Sequence, residues 1–329
     1  MTNTAKVSII IPVKPGGRVK ALDGVRELAY PSDSFEVLVA EGKCPSLQRN
    51  MAAASASGKI LCFLDDDSLI APEYLHRVVH HYADPAVAAA GGPSLTPASD
   101  TPLQQAFGMA LASVIGGGGM RNRYRLAGGI RATCDRELIL CNLSFRRDVF
   151  LTHGGFDERL YPNEENELME RIRREGGLLI HDPELAIYRS QRPTLKAFCR
   201  QLVSYGRGRG EQTVISRVIK PITFIPSLFL FYLLLLPLVQ KPVYYLPLLC
   251  YLGITISSAL ASAVRTRRFR SAALLPVVFA LFHICYGIGM VRRLIAPRFR
   301  KQGSRECEVA LRKVKEFGGP MKQGSGISC

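Results

Sequence analysis

Three stretches contain no Asp, Glu, Lys or Arg: Ile222–Val239, Val243–Ala263 and Ala272–Val291. Each has about the length that crosses a hydrocarbon core, roughly 20 residues. A chain of 329 residues with such segments has to place them against lipid or bury them in protein. By contrast, the apolar run Val7–Val13 is short, is followed by Lys14 and has no small-residue cleavage site, so it reads as a strand and not a signal peptide. The first 200 residues are therefore expected to stay in the cytoplasm.

The formal charge is +16, and its placement decides what it means. Arg207, Arg209, Arg217 and Lys220 precede the first segment. Arg265, Arg267, Arg268 and Arg270 separate the second and third, and Arg292, Arg293, Arg298, Arg300 and Lys301 follow the third. Basic clusters beside apolar spans match anionic lipid headgroups and the positive-inside rule. No interleaved aromatic and basic platform suggests nucleic acid as a partner. The loop 240–242 carries one Lys and is expected to face outward, with the soluble part and the Arg265–Arg270 loop inside. Three full crossings would then put the basic tail outside, against the rule. Pro226 and Pro237 single out the first segment as the least regular span.

Upstream, strand and helix patterns alternate. Val7–Val13, Phe35–Ala40, Lys59–Leu64 and Val87–Gly91 read as strands, separated by helical stretches at Arg18–Tyr30, Pro45–Ser57 and Pro72–Tyr82. This is the pattern of βαβ units and a mostly parallel sheet. A helix near Pro102–Ile115 leads to Gly116–Gly119, a run that suits a mobile loop. Cys141–Phe145, Leu178–His181 and Leu185–Tyr188 complete the sheet, and Glu165–Glu175 and Thr194–Tyr205 read as helices. Nine scattered cysteines without a Cys-x-x-Cys pair read as reduced, and no zinc arrangement is indicated. The stretch 302–329 is Gly- and Lys-rich and is expected to be a disordered basic tail.

The residues Asp65-Asp66-Asp67 end the apolar run Lys59–Leu64. Three adjacent carboxylates repel one another unless a cation sits among them. A hard divalent ion binds through one or two carboxylates together with substrate phosphate oxygens, and ligands of open α/β sheets lie beyond the carboxyl ends of strands. The pattern points to a metal-bridged phosphate ligand.

Four pieces occur in order: Val-Ser-Ile-Ile-Ile-Pro (7–12), Leu-Asp-Asp-Asp (64–67), Asn-Leu-Ser-Phe-Arg-Arg-Asp-Val-Phe (142–150) with Gly-Gly-Phe-Asp-Glu (154–158), and Asn-Glu-Glu-Asn-Glu-Leu (163–168). Together they resemble family 2 inverting glycosyltransferases of the GT-A fold over about residues 5 to 210. Tyr-Gly-Arg-Gly-Arg (205–209) and the trailing spans look like membrane enzymes of succinoglycan-type exopolysaccharide assembly. The resemblance implies a Rossmann-like α/β catalytic domain at 1–210, a membrane domain at 211–301 and the tail. It implies Mg²⁺ or Mn²⁺ held by Asp67 and Asp65, and a nucleotide-sugar site formed by Pro12, Val13, Lys14, Glu41, Arg49, Asp65 and Asp66. Glu41 stands where the family usually has Asp.

Within the same resemblance, Glu165 matches the catalytic base, with Glu164 as a rival, since inversion needs a carboxylate to take the acceptor proton. Asn142, Gln201, Arg207 and Arg209 are implied for the diphosphate or acceptor, and Arg207 and Arg209 serve equally well as residues snorkelling at the membrane surface. The implied enzyme is a multi-pass protein of the cell (inner) membrane with a cytoplasmic catalytic domain. It would move sugar to a polyprenyl-diphosphate-linked saccharide in cell-surface polysaccharide assembly. Transfer to polyprenyl phosphate, and a non-catalytic GT-A-like scaffold, are the alternatives.

Overall fold

The computed structural model describes residues 5–239, 241–297 and 307–322. In chain order the first elements are β1 (Val7–Val13), α1 (Ala21–Arg26), β2 (Phe35–Gly42), α2 (Pro45–Ser55), β3 (Ile60–Leu64), α3 (Tyr74–His81), β4 (Val87–Gly91) and β5 (Ser94–Leu95). Then come α4 (Pro102–Leu111), β6 (Arg131–Ala132), β7 (Asn142–Arg146), α5 (Arg147–Thr152), α6 (Glu164–Arg174), β8 (Leu178–His181) and β9 (Ile187–Tyr188). The last part holds α7 (Leu195–Ser216), α8 (Ile225–Leu235), α9 (Leu246–Thr266), α10 (Phe269–Ala273), α11 (Leu275–Ile295) and β10 (Val309–Lys315).

Two compact units interleave along the chain. One takes the residues up to Leu95, then Arg125–Arg189 and the tail; the other takes Thr96–Tyr124 and 190–302. Inside the first, the sheet order is β10-β2-β1-β3-β7-β4-β8-β6. Its β2–β1–β3 part and the β4–β8 pair are parallel, whereas β7 lies antiparallel between β3 and β4, and β6 and β10 are antiparallel edges. Every residue of β1 and β3 is buried, and all are apolar except Ser8, whose hydroxyl donates to buried Glu36, as a strand covered on both faces requires. Phe63, Phe145, Phe150 and Phe156 pack edge-on or tilted beneath the carboxyl end of β3.

The tail departs from the expected disorder. Residues Val309–Lys315 form β10 and pair with β2 from Val309 opposite Gly42 onward. An open sheet edge is a template for a further strand, and here Lys313 Nζ lies 3.0 Å from buried Glu36 while Lys315 Nζ donates to the carbonyls of Ser32 and Phe35. The same return brings Cys307 to Cys44, with Cα atoms 6.3 Å apart and within disulfide reach across a sequence separation of 263. Residues 302–306 and 323–329 of the expected tail lie outside the described residues.

In the second unit α4 starts on a capping box, with Thr101 and Gln104 each satisfying the other's backbone. Phe107 and Phe198 stack 3.9 Å apart between centroids. The longest contact runs between α7 and α11. A Cβ on Gly206 would lie 2.0 Å from the Tyr286 carbonyl, and one on Gly289 2.1 Å from that of Val203. Small residues spaced this way let two helix backbones touch. The Gly116–Gly119 run is likewise tight: a Cβ on Gly117 would lie 1.9 Å from the Leu111 carbonyl, and a 3₁₀ helix follows at Gly118–Tyr124.

Three helical segments are long and apolar enough to cross a membrane: Pro221–Leu238, Pro242–Thr266 and Leu275–Ile295. Pro226 sits in the first turn of α8 and Pro237 in a short 3₁₀ turn, positions where proline costs little because the missing N–H has no helical partner.

Replacing Gly206 or Gly289 by Val is expected to cost roughly 1–3 kcal/mol by overpacking, whereas Gly253→Ala in α9, where a Cβ meets nothing within 4 Å, should be neutral. Thermal unfolding in detergent reads all three. Equal melting temperatures would remove the α7–α11 crossing as a stabilising contact.

Candidate active site

The site begins with the turn after β3. The Asp65 N–H donates to Ser68 Oγ at 3.1 Å, and Ser68 Oγ donates to the Cys141 carbonyl at 3.2 Å. Leu69 and Tyr188 exchange backbone hydrogen bonds of 2.9 Å. That bridge delivers Arg189 to the carboxylates. Its Nη2 lies 3.3 Å from Asp65 Oδ2 and its Nε 2.6 Å from Asp67 Oδ1. Asp66 beside them has its carboxyl pushed up, first by burial and then by the charges of Asp67 and Asp65.

On the other side Arg49 of α2 donates to Asp65 Oδ1 at 2.9 Å and to Glu164 Oε1 at 3.1 Å. Arg49 and Glu164 are both buried. Burial pushes the Glu164 carboxyl up, Arg49 pulls it down, and the charge of Glu165 adds to the rise. Helix α6 starts after Asn163, whose φ of 92° is left-handed, a conformation Asn tolerates better than most residues. Asn166 Nδ2 donates to Asn163 Oδ1 and to Glu165 Oε1. The preceding segment is tied to α2 through Asn50, which donates to the Phe156 carbonyl at 2.8 Å and accepts from its N–H at 2.9 Å.

At the ends of β1 and β2, Val13 pairs in register with Glu41 and Pro12 with Ala40. Gln48 Nε2 donates to the carbonyls of Val13 and Ala40, which fixes these strand ends to α2. The Gly16 N–H donates to Glu41 Oε1 at 2.9 Å, and Arg312 of β10 donates to Glu41 Oε2 at 2.8 Å. Lys14 is exposed beside them.

Within this unit the fold therefore brings Asp65, Asp67, Arg49, Arg189 and Glu164 onto one connected set of side chains, with Glu165 next to Glu164 at the start of α6, and Pro12, Val13, Lys14 and Glu41 onto the neighbouring strand ends. Arg49 is placed differently from the expected contact with base or phosphate: its guanidinium bridges two carboxylates. Asn142 is turned into the fold. It is fully buried at the start of β7, donates to the Pro93 and Leu185 carbonyls and accepts from Tyr74 Oη. A buried amide has to spend its hydrogen bonds internally.

Three of the expected residues belong to the second unit. Gln201 donates to Tyr205 Oη and accepts from Arg192 Nε, and Arg207 is half-buried on the same helix. Arg209 is buried and donates to Gln212 Oε1 at 2.9 Å, and the glycine-spaced crossing with α11 encloses it. Arg189 and Arg312 escaped the sequence reading. Each is a lone Arg at the end of, or within, a strand, and only the partners it meets give it meaning.

The donor set fits a hard divalent cation. Asp65 and Asp67 already share one cationic group, Arg189, so their oxygens converge on a common positive charge, and carboxylate oxygen is the ligand type that Mg²⁺ and Mn²⁺ take beside phosphate. Among the described residues no group of three metal-ligating side chains is assembled.

Arg49→Met should leave Glu164 buried without its cation and cost about 3–5 kcal/mol. Adding Glu164→Gln should recover much of the loss, since a neutral amide needs no counter-charge. Unfolding midpoints of the two variants test this, and a fully stable Arg49→Met would show that the bridge carries no weight.

Comparison with known proteins bears on the family and the fold. The chain is 25% identical over 221 residues to the pre-mycofactocin glycosyltransferase of Mycobacterium tuberculosis, in both strains CDC 1551 / Oshkosh and ATCC 25618 / H37Rv. The match takes in 61% of this chain and 46% of the relative, so the chain spans about half the length of the curated relatives it matches. Among solved structures, the mannosyltransferase PcManGT of Pyrobaculum calidifontis, in complex with GDP-Man and Mn²⁺, superposes with a TM-score of 0.54 at 16% identity. That superposition covers 90% of this chain and 88% of the other, a likeness of fold. Residues 60–288 match the profile of glycosyl transferase family group 2. Since that match takes in most of the chain, the protein belongs to glycosyl transferase family group 2, with a GT-A fold.

Proposed function

We propose that the protein is a metal-dependent inverting glycosyltransferase that moves a sugar from a nucleotide-sugar donor to a membrane-held, polyprenyl-diphosphate-linked saccharide. The observation that carries this reading is the convergence of Asp65 and Asp67 on one cation at the carboxyl end of β3, with Arg49 linking Asp65 to the start of α6. The Mn²⁺ bound by PcManGT and the donor in that complex are in keeping with it.

In this reading the ends of β1 and β2, with Glu41, take the nucleoside. Asp65 and Asp67 would hold Mg²⁺ or Mn²⁺, which would supply positive charge for the departing diphosphate. Glu165 accepts the acceptor hydroxyl proton as its oxygen attacks the anomeric carbon, and Glu164 stays with Arg49. The diphosphate leaves with the bonding electron pair, so no covalent enzyme intermediate is needed. Glu165 suits the role better than Glu164, whose Oε1 is committed to Arg49 in a buried pair.

The apolar segments support a lipid-held acceptor and a membrane location with the catalytic unit in the cytoplasm. They also bear on the number of crossings. Strand β10 lies in one sheet with β1, β2 and β3, and a sheet occupies one aqueous compartment, so the chain between Arg189 and Val309 crosses an even number of times. Pro221–Leu238 and Pro242–Thr266 are the pair that cross: their connection carries a single Lys, whereas four arginines lie between the second and third segments. Protein buries 50% of the third segment but only 11% and 17% of the first two. In this reading the third lies against α7 without spanning, along the buried stripe Leu275, Val278, Phe279, Phe282 and Met290.

Nucleoside diphosphate release from a panel of nucleotide sugars tests the activity. Release should require Mg²⁺ or Mn²⁺, vanish with EDTA and fall at least 100-fold in Asp67→Ala. Glu165→Gln should lower transfer to a hydroxyl acceptor by about 10²–10⁴; unimpaired transfer would point to an already ionised polyprenyl phosphate acceptor. Absence of release and of nucleotide-sugar binding, even with native lipid extract, would leave the scaffold reading. For the crossings, a reporter active only outside the cytoplasm should give signal when fused after Lys241 and none after Arg268 or Lys322. Signal after Lys322 would refute an even number of crossings.

A further inference from the structure

Glu41 is the point at which the chain departs from the aspartate expected after the second strand. Its extra methylene adds a torsion, and a freer carboxylate loses more rotamer freedom when it has to hold a ligand. In this protein both of its oxygens are engaged. The Gly16 N–H holds Oε1 at 2.9 Å and Arg312 Nη2 holds Oε2 at 2.8 Å. Arg312 arrives from the tail: Ala310 stands opposite Glu41 in the β10–β2 register and Arg312 opposite Val39. Arg312 is thus a diagonal neighbour on the same face, within reach of a long side chain.

The strand that carries it is anchored independently by Lys313 on Glu36, by Lys315 on the Ser32 and Phe35 carbonyls, and by Cys307 on Cys44. The Arg312–Glu41 pair is partly exposed, at 39% and 26%, so it adds little to stability. What it fixes is the direction of the Glu41 carboxylate.

We propose that Arg312 is a positioning residue of the nucleoside subsite. It locks the longer Glu41 side chain in one rotamer, ready to accept from a base N–H or ribose hydroxyl, and offsets its negative charge where the donor brings a diphosphate. The tail strand is on this account part of the donor site. The inference rests on the nucleotide-sugar reading of the same site.

The test is calorimetric titration of the full chain in detergent with uridine, guanosine, adenosine, cytidine and thymidine diphosphates in the presence of Mn²⁺. Arg312→Ala should weaken the best of these roughly tenfold, the scale of one charge-assisted hydrogen bond. Arg312→Lys should recover part of the loss. In a Glu41→Ala background Arg312→Ala should cost nothing further, because Arg312 acts through Glu41. Amide exchange across Val309–Lys315 should remain slow in Arg312→Ala. Wild-type affinity in Arg312→Ala, an equal loss in both backgrounds, or a loss with the strand exchanging freely and no recovery by Lys would each overturn the assignment while leaving the nucleotide-sugar reading in place. A wild-type chain that binds none of the diphosphates would overturn that reading and this inference with it.

Discussion

The site depends first on one buried guanidinium. Arg49 reaches from α2 to Asp65 at the end of β3 and to Glu164 at the start of α6. Two carboxylates on different elements would otherwise face each other across a low-dielectric interior, where like charges repel strongly. Bringing them together without Arg49 would protonate one or push the elements apart. The cost of burying Arg49 is offset by two charge-assisted hydrogen bonds, and the result is a rigid link between the residues expected to hold the donor and those expected to handle the acceptor.

A second cation acts at the surface of the same cluster. Arg189 lies across Asp65 and Asp67 because the Leu69–Tyr188 bridge brings β9 beside the aspartate turn. Below it, the antiparallel insertion of β7 sets fully buried Asn142 opposite Leu64. Its amide spans the segments at Pro93 and Leu185, so the turn sits on a floor with its polar groups paired. The chemistry of the carboxylates and the packing beneath them are therefore one problem: a carboxylate is directed only as well as the backbone that carries it.

The apolar segments and the tail are linked by topology. On the proposed topology, with β10 at the edge of the sheet, the intervening chain leaves and re-enters the same compartment. That topology rests on the charge of the connecting loops and the unequal protein cover of the three segments. The glycines of α7 and α11 belong to the same picture, since a helix that gives up half its apolar surface to protein needs a partner that can approach closely.

Much of this was legible in the residues. The buried strands announced themselves through unbroken apolar runs, Asp65–Asp67 through carboxylates crowded beyond one of them, and α6 through acidic residues at its positive end, because burial and helix dipoles act over a few neighbouring positions. Residues whose roles come from distant partners carried no such mark. Arg49 is a bridge only because β3 and α6 meet at α2, Arg189 matters only because β9 closes on the turn, and Asn142 and Arg209 are spent inside the protein although their neighbourhood suggested a ligand. The basic, glycine-containing tail looked unstructured because its strand acquires hydrogen-bond partners only at the edge of β2, and Cys307 finds Cys44 only there. The sequence by itself determined which segments are apolar, which are charged and where the carboxylates gather; the tertiary structure decided which charges neutralise which, because those pairings depend on through-space distances between segments far apart in the chain.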